Sequence, residues 1–398
     1  MTNKERILRT VRGEPCDRIP YIPRLDIWYN ANKFRGTLPD KYKKATLKEI
    51  VEDLDLGYHY VIPDYKNYEG EDGDIDVGIG LYRFDTQPYS FTFHNVEREI
   101  ERSSDGHVHV VYKTPKGNLS TSFSYNEDMR KMGLTLSVVT EHAIKNEDDL
   151  EAVAYIFENA EVQPKYDKYL EFKENVVGDN GICTGYSLVW VCPMHYISKD
   201  LMAFDAFFYA MADYPEKMEW LSDKLMPFFR KVFDITASSP AEVILSGANY
   251  DVGITPPNFF RDYITPELKK QSDALHKLNK YLITHTDGEN KGLLEEYVKS
   301  GFDIADSICP APMTSQSLKE VRDVLKDKIT IWGGIPSAAL LESSMSDKEF
   351  ESFLDNTMQQ IGDGKKMIFA IADTTPPDAK FERILRIAQK VKEFGRVK

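Results

Sequence analysis

Cysteine is scarce and scattered: four in 398 residues, Cys16, Cys183, Cys192 and Cys309, with no CxxC pair, which excludes a disulfide framework. No apolar run approaches the roughly 20 residues of a membrane span. The charged opening Met1-Thr-Asn-Lys-Glu-Arg-Ile-Leu-Arg9 lacks the apolar core of a signal peptide, so a cytoplasmic protein is expected. Positive charge is also in deficit. A net charge of −14 and the lack of a long Lys/Arg cluster argue against a nucleic-acid surface. There is no GxGxxG after a strand, no Walker loop, no HExxH and no GxSxG. With 42% hydrophobic and 29% charged residues, the remainder reads as an ordinary globular chain. Its 22 tyrosines suffice to line a pocket for an aromatic ligand, although most such rings pack in cores.

What is present is an ordering. Five short apolar runs each stop at a residue able to do chemistry: Val243 to Asp251, Tyr281 to Asp287, Ile304 to Cys309, Ile329 to Gly334 and Met367 to Asp373. Amphipathic helical pattern lies between them. Strand, functional residue, loop and helix in repetition predict a (β/α)8 TIM barrel, whose active site is built at the carboxyl ends of the strands. Earlier strands are expected at Tyr21–Ile27 (carrying Arg24 and Asp26), at Tyr58–Ile62 and at Gly181–Ser187. Helices are expected over 4–11, 47–54, 147–158, 165–174, 199–211, from Pro215 onward and over 381–394. Between about residues 82 and 127 alternation with Ser-Asp-Gly and Pro-Lys-Gly turns predicts an inserted antiparallel β flap. The whole of 1–398 is read as a single barrel domain carrying that insertion. His107 and His109 fall on one face of a strand there, where solvent exposure explains them.

His285-Thr-Asp287-Gly288 is the sharpest cluster. Residues two apart on a strand point to the same side, so His285 and Asp287 can converge on a metal or act as an acid/base pair. Asn249 and Asp251 share a face at the end of the preceding run, and Tyr250 takes the other face. Cys309 is the one cysteine at a strand end, suited to zinc or to nucleophilic attack if activated. Asp373 ends the last run before Thr-Thr-Pro-Pro. Gly333 and Gly334 allow a ligand to approach the backbone, and Tyr186 with Ser187 ends the run from Gly181. Each also has a plain structural explanation, as a cap, a turn or a core residue.

The chain resembles the uroporphyrinogen decarboxylase superfamily. The likeness rests on Glu5 to Pro20, with its short helix, Gly-Glu-Pro and Asp-Arg-x-Pro. It continues at Asn249-Tyr-Asp, Pro256 to Pro266, His285-Thr-Asp-Gly, Gly301-Phe-Asp and Trp332-Gly-Gly-Ile. One branch of that superfamily decarboxylates a porphyrinogen without a cofactor. The other comprises zinc-assisted, corrinoid-linked methyltransferases. The arginine-rich opening of the first branch is absent here. Of the second branch's zinc ligands a histidine is kept at His285, but Asp287 and Asp373 stand where cysteines are expected.

This resemblance implies methyl transfer from a small methylated donor, such as a methoxylated aromatic, to a corrinoid protein. Zinc would be held by His285, Asp287 and Asp373, with Cys309 as a further candidate. Asp251, Tyr250, Tyr186 and Asn249 would serve catalysis, and Gly333 and Gly334 cofactor binding. The alternatives are a cofactor-free decarboxylase of a cyclic or aromatic acid, using Asp251 and His285, and a barrel that binds a ligand without turnover.

Overall fold

In the computed structural model, which describes residues 1–70 and 72–398, parallel strands follow one another around a ring. Six pair in the order Gly185–Tyr186, Val243–Ala248, Tyr281–His285, Ile304–Ile308, Thr330–Pro336, Met367–Ala372. Tyr58–Tyr60 pairs in parallel with Gly181–Cys183, which runs on into Gly185–Tyr186. Residues 20–22 close the circle. Ile22 N donates to Phe369 O at 2.8 Å, Phe369 N to Pro20 O at 2.8 Å, and Gly57 N to Tyr21 O at 3.1 Å. The result is the eight-stave α/β barrel expected from the strand–helix alternation.

The strands of the second half are buried along almost their whole length. That is why they read as continuous apolar runs: helices cover the outside and side chains fill the inside. Ile22, Ile182, Leu245, Ile283, Ile304 and Ile368 pack within the ring. Ile7 and Val11 of the helix Asn3–Arg12 join them. Among the described residues, four helices start with the reciprocal Ser/Thr-x-x-Glu cap, at Thr2/Glu5, Thr46/Glu49, Ser317/Glu320 and Ser346/Glu349. Each such cap satisfies two amides that the first helical turn leaves free.

Two expected elements differ. The strand over Tyr21–Ile27 pairs only through residues 20–22, and the helix Asp26–Arg35 begins where it was to continue. Pro23 has no N–H to give a ladder, and Asp26 suits a helix's first turn. The helix over 199–211 is broken: a π-turn Ile197–Leu201 precedes the helix Phe204–Asp213. Met202 between them is extended and bridges to Ile144, so its backbone serves an interface instead of a helix.

Between the second and third staves the chain builds antiparallel sheet. Glu97–Arg102, His107–Thr114, Gly117–Ser124 and Val138–Glu141 form four strands, and Tyr89–Phe93 pairs with Ala160–Pro164. His107 and His109 share a face, with Nδ1 atoms 3.2 and 2.9 Å from the hydroxyls of Ser124 and Ser122. Among the described residues no helix is long and apolar enough to cross a membrane.

Candidate metal centre and active-site cavity

His285 is the last residue of its strand, and the pairing register sets it beside Asp306 on the next. Its Nδ1 lies 2.7 Å from Asp306 Oδ2, and its Nε2 lies 3.2 Å from Asp373 Oδ1. Asp373 follows the last stave and receives Arg24 Nη1 at 3.1 Å. Arg24 Nε bonds both Asp26 oxygens at 3.2 Å. His59 stands on the far side of Asp306, 3.9 Å from its Oδ1, and packs edge-on against Trp332.

Asp287 completes the group: one donor atom from each of His285, Asp287 and Asp373 falls within 4.8 Å of the others. A turn with Gly288 at φ +63° carries Asp287 there. A Cβ on Gly288 would stand 2.7 Å from the Asp251 carboxylate, so this crossing needs glycine.

The electrostatics follow from burial and pairing. Burial opposes charge on His285, but the carboxylates of Asp373 and Asp306 outweigh it and push the imidazole up to about 10. Burial likewise disfavours the Asp373 anion, yet Arg24 and His285 hold it well below the usual carboxylate range. Asp306 is also held low, by His285 and His59 against burial. Asp287 moves the other way, raised mainly by burial.

These residues fit a divalent ion. Nδ1 is committed to Asp306, which fixes the ring and leaves Nε2 aimed at two carboxylates, the usual support of a metal-binding histidine. The site that now shares a proton between Nε2 and Asp373 is charge-matched to zinc once that proton leaves, and a nitrogen-and-carboxylate set is one zinc accepts.

The group lies on the wall of a cavity of about 660 Å³, together with Arg24, Asn249, Tyr65, Tyr82, Trp190 and Lys199. A second cavity of about 330 Å³ shares Asp287 and Asp373 and is lined as well by Asp251, Cys309 and Met313. Cys309 therefore neighbours the cluster without joining its three donors, and burial pushes its thiol up to about 12. Both Asp251 oxygens accept loop amides, from Gly253 and from Glu289, each at 2.8 Å.

Other expected site residues lie elsewhere. Tyr250 is fully buried, bonds the Thr284 hydroxyl at 2.8 Å and packs on Phe260, because alternation turns it away from the mouth. Tyr186 packs inside the ring against Phe84 and Tyr65. Gly333 and Gly334 sit within a stave, where a Cβ would come within 2.5 Å of Ile308 O and 2.6 Å of the Met367 methyl. Close packing accounts for both, and neither lines the cavities that hold the cluster.

Sequence reasoning left Asp306, Arg24 and His59 out of the site. The signal for Asp306 was a charge inside an apolar run, which a buried strand tolerates only with a partner.

The uroporphyrinogen decarboxylase (URO-D) family model matches residues 191–394, just over half the chain, and the chain belongs to that family. Among solved structures it is similar to a methyltransferase from Methanosarcina mazei. The identity is 16%, the TM-score 0.53, and the match covers 99% of each chain. No curated protein matches it in sequence.

Proposed function

We propose that this protein is a methyltransferase that takes a methyl group from a small methylated donor, with a methoxylated aromatic as the favoured class, and passes it to the cobalt of a separate corrinoid protein. The observation that carries this reading is the convergence of His285, Asp287 and Asp373 on one point of a cavity walled by Tyr65, Tyr82 and Trp190. A fold shared with a protein described as a methyltransferase agrees with it.

His285, Asp287 and Asp373 would hold zinc, which when bound supplies Lewis acidity to the ether oxygen of the donor. Asp306 keeps the His285 ring in one orientation, and Arg24 does the same for Asp373. The aromatic wall binds the donor ring and excludes water from the reacting oxygen. The reduced cobalt supplies the electron pair of the new bond to methyl, and the ether oxygen keeps the old pair and leaves as a phenolate or alkoxide, a charge that zinc at this site would offset.

Metal analysis of protein purified without chelator, followed by activity with a reduced corrinoid protein, tests the reading. One zinc per chain, loss of activity on chelation and a spectral change of the corrinoid on adding donor are expected. Full methyl transfer in excess chelator would remove the metal from the scheme, whereas decarboxylation of an aromatic acid in excess chelator, with no methylation of the corrinoid, would favour a cofactor-free decarboxylase. Ligand binding without turnover under any condition would leave a binding protein.

A further inference from the structure

Three residues on the wall of the larger cavity take no part in holding the His285 cluster. Trp190, Lys199 and Asp200 follow the third stave and lie across the sequence from Arg24, His285 and Asp373. Lys199 Nζ is sealed from solvent and makes no hydrogen bond among the described residues. It also forms no ion pair among the described residues. An unpartnered buried ammonium is expensive, and a site that a ligand completes accounts for keeping one. Asp200 beside it accepts the indole N–H of Trp190. Burial pushes the Asp200 carboxyl up to about 7, so near neutrality much of it carries a proton to donate. Burial lowers Lys199 only to about 8, which leaves it mostly cationic at the same pH. Tyr65 and Tyr82, edge to face at 4.8 Å, line the same cavity.

We infer that this wall binds an anionic oxygen group, a carboxylate, borne by the aromatic donor on the side away from its methyl ether. A flat ring suits the tyrosine and tryptophan faces. The volume of about 660 Å³ exceeds what one ring requires, since about 150 Å³ suffices for benzene. A methylated ammonium is the competing ligand, since Asp200, Asp287 and Asp373 also line the cavity, but Arg24 pairs Asp373 and burial disfavours the anions of Asp200 and Asp287. The orientation of the methyl group rests on the methyl-transfer reading, whereas recognition of the anion does not.

Titration calorimetry on metal-free full-length protein, without any corrinoid, separates the two. The probes are 4-methoxybenzoate, the uncharged 4-methoxytoluene of similar shape, and tetramethylammonium. Wild type is expected to bind the benzoate ~10-fold or more tighter than the toluene, as a charge-assisted hydrogen bond implies. Lys199→Met should abolish that preference while leaving 4-methoxytoluene affinity unchanged, and Asp200→Asn should reduce it. Equal affinity for the two ring probes, a preference that survives Lys199→Met, tighter binding of tetramethylammonium, or no binding of the benzoate overturns the inference. If the charge preference holds but 4-methoxybenzoate is never demethylated with the corrinoid protein, the anion site stands and the methyl-transfer reading falls.

Discussion

His285 and Asp306 are partners across adjacent staves, Nδ1 to Oδ2 at 2.7 Å, and both are buried. Because the pairing register fixes their backbones opposite each other, the imidazole has one orientation before any ligand arrives. Asp306→Asn retains volume but loses the charge that makes the ring a better ligand. Zinc affinity should fall 10- to 100-fold, the usual range for losing such a support, with the fold intact by circular dichroism. Competition titration against a chromogenic chelator measures it; an unchanged affinity would mean that His285 is not a ligand.

The same pair sets a pH dependence. The folded pKa of His285, about 10, lies above its ordinary value of about 6.5, so the imidazolium stabilises the metal-free fold. That contribution is complete below pH ~6.5 and is lost as pH rises through ~10. The urea midpoint of wild type minus that of His285→Gln should therefore shrink between pH 6 and pH 10. Metal binding must expel the proton, so zinc uptake at pH 8 should release about one proton per ion. Calorimetry in buffers of different ionisation enthalpy reads that number, and zero release would contradict the assignment.

The barrel was legible because its later staves are buried on both sides and so appear as apolar runs ending in His285, Asp287, Cys309 and Asp373. Helices such as Phe381–Phe394 were legible from the apolar face of Ile384, Ile387 and Val391, whereas the helix Asp347–Gln360, announced only by its Ser346/Glu349 cap, was not among those expected. The Asp-Arg-x-Pro motif, which helped to point to the family, is architectural. Asp17 forks onto Arg6 of the first helix, Arg18 forks onto Asp55, and Pro20 begins the first stave. What stayed hidden were partners distant in sequence. Arg24 and Asp373 are 349 residues apart, and only closure of the ring between the first and last staves brings them together. Lys199 was hidden for another reason: it falls in a stretch whose apolar pattern reads as one helix, whereas the π-turn there ends at Leu201 and Met202 is extended.

Gly288 links the cluster to the loop held by Asp251. With φ at +63° and no room beside the Asp251 carboxylate, Gly288→Ala should cost ~1–2 kcal/mol from the left-handed backbone alone. It should also displace Asp287, weakening zinc binding more than Asp251→Asn does, since asparagine keeps an acceptor for one of the two loop amides. Thermal melts together with zinc titrations of both variants separate the effects. Equal zinc affinity in Gly288→Ala and wild type would show that the turn does not position Asp287.

Tyr250 gives the cleanest discrimination between an active-site residue and a supporting one. Its hydroxyl reaches Thr284 at 2.8 Å, and Thr284 in turn donates to Gly247 O at 3.0 Å, a buried chain behind the staves that lead to Asn249 and His285. Gly247 has no side chain because a Cβ would overlap the tyrosine hydroxyl. Removing the hydroxyl in Tyr250→Phe leaves the Thr284 hydroxyl its bond to Gly247, so the loss should be about one hydrogen bond, ~1 kcal/mol of stability. Turnover and the pH profile should be unchanged, because no atom of Tyr250 lines either cavity. A proton donor at this position would instead lose two or more orders of magnitude in kcat with stability intact. The ratio of the two effects, from urea unfolding and steady-state rates on the same preparation, assigns the residue.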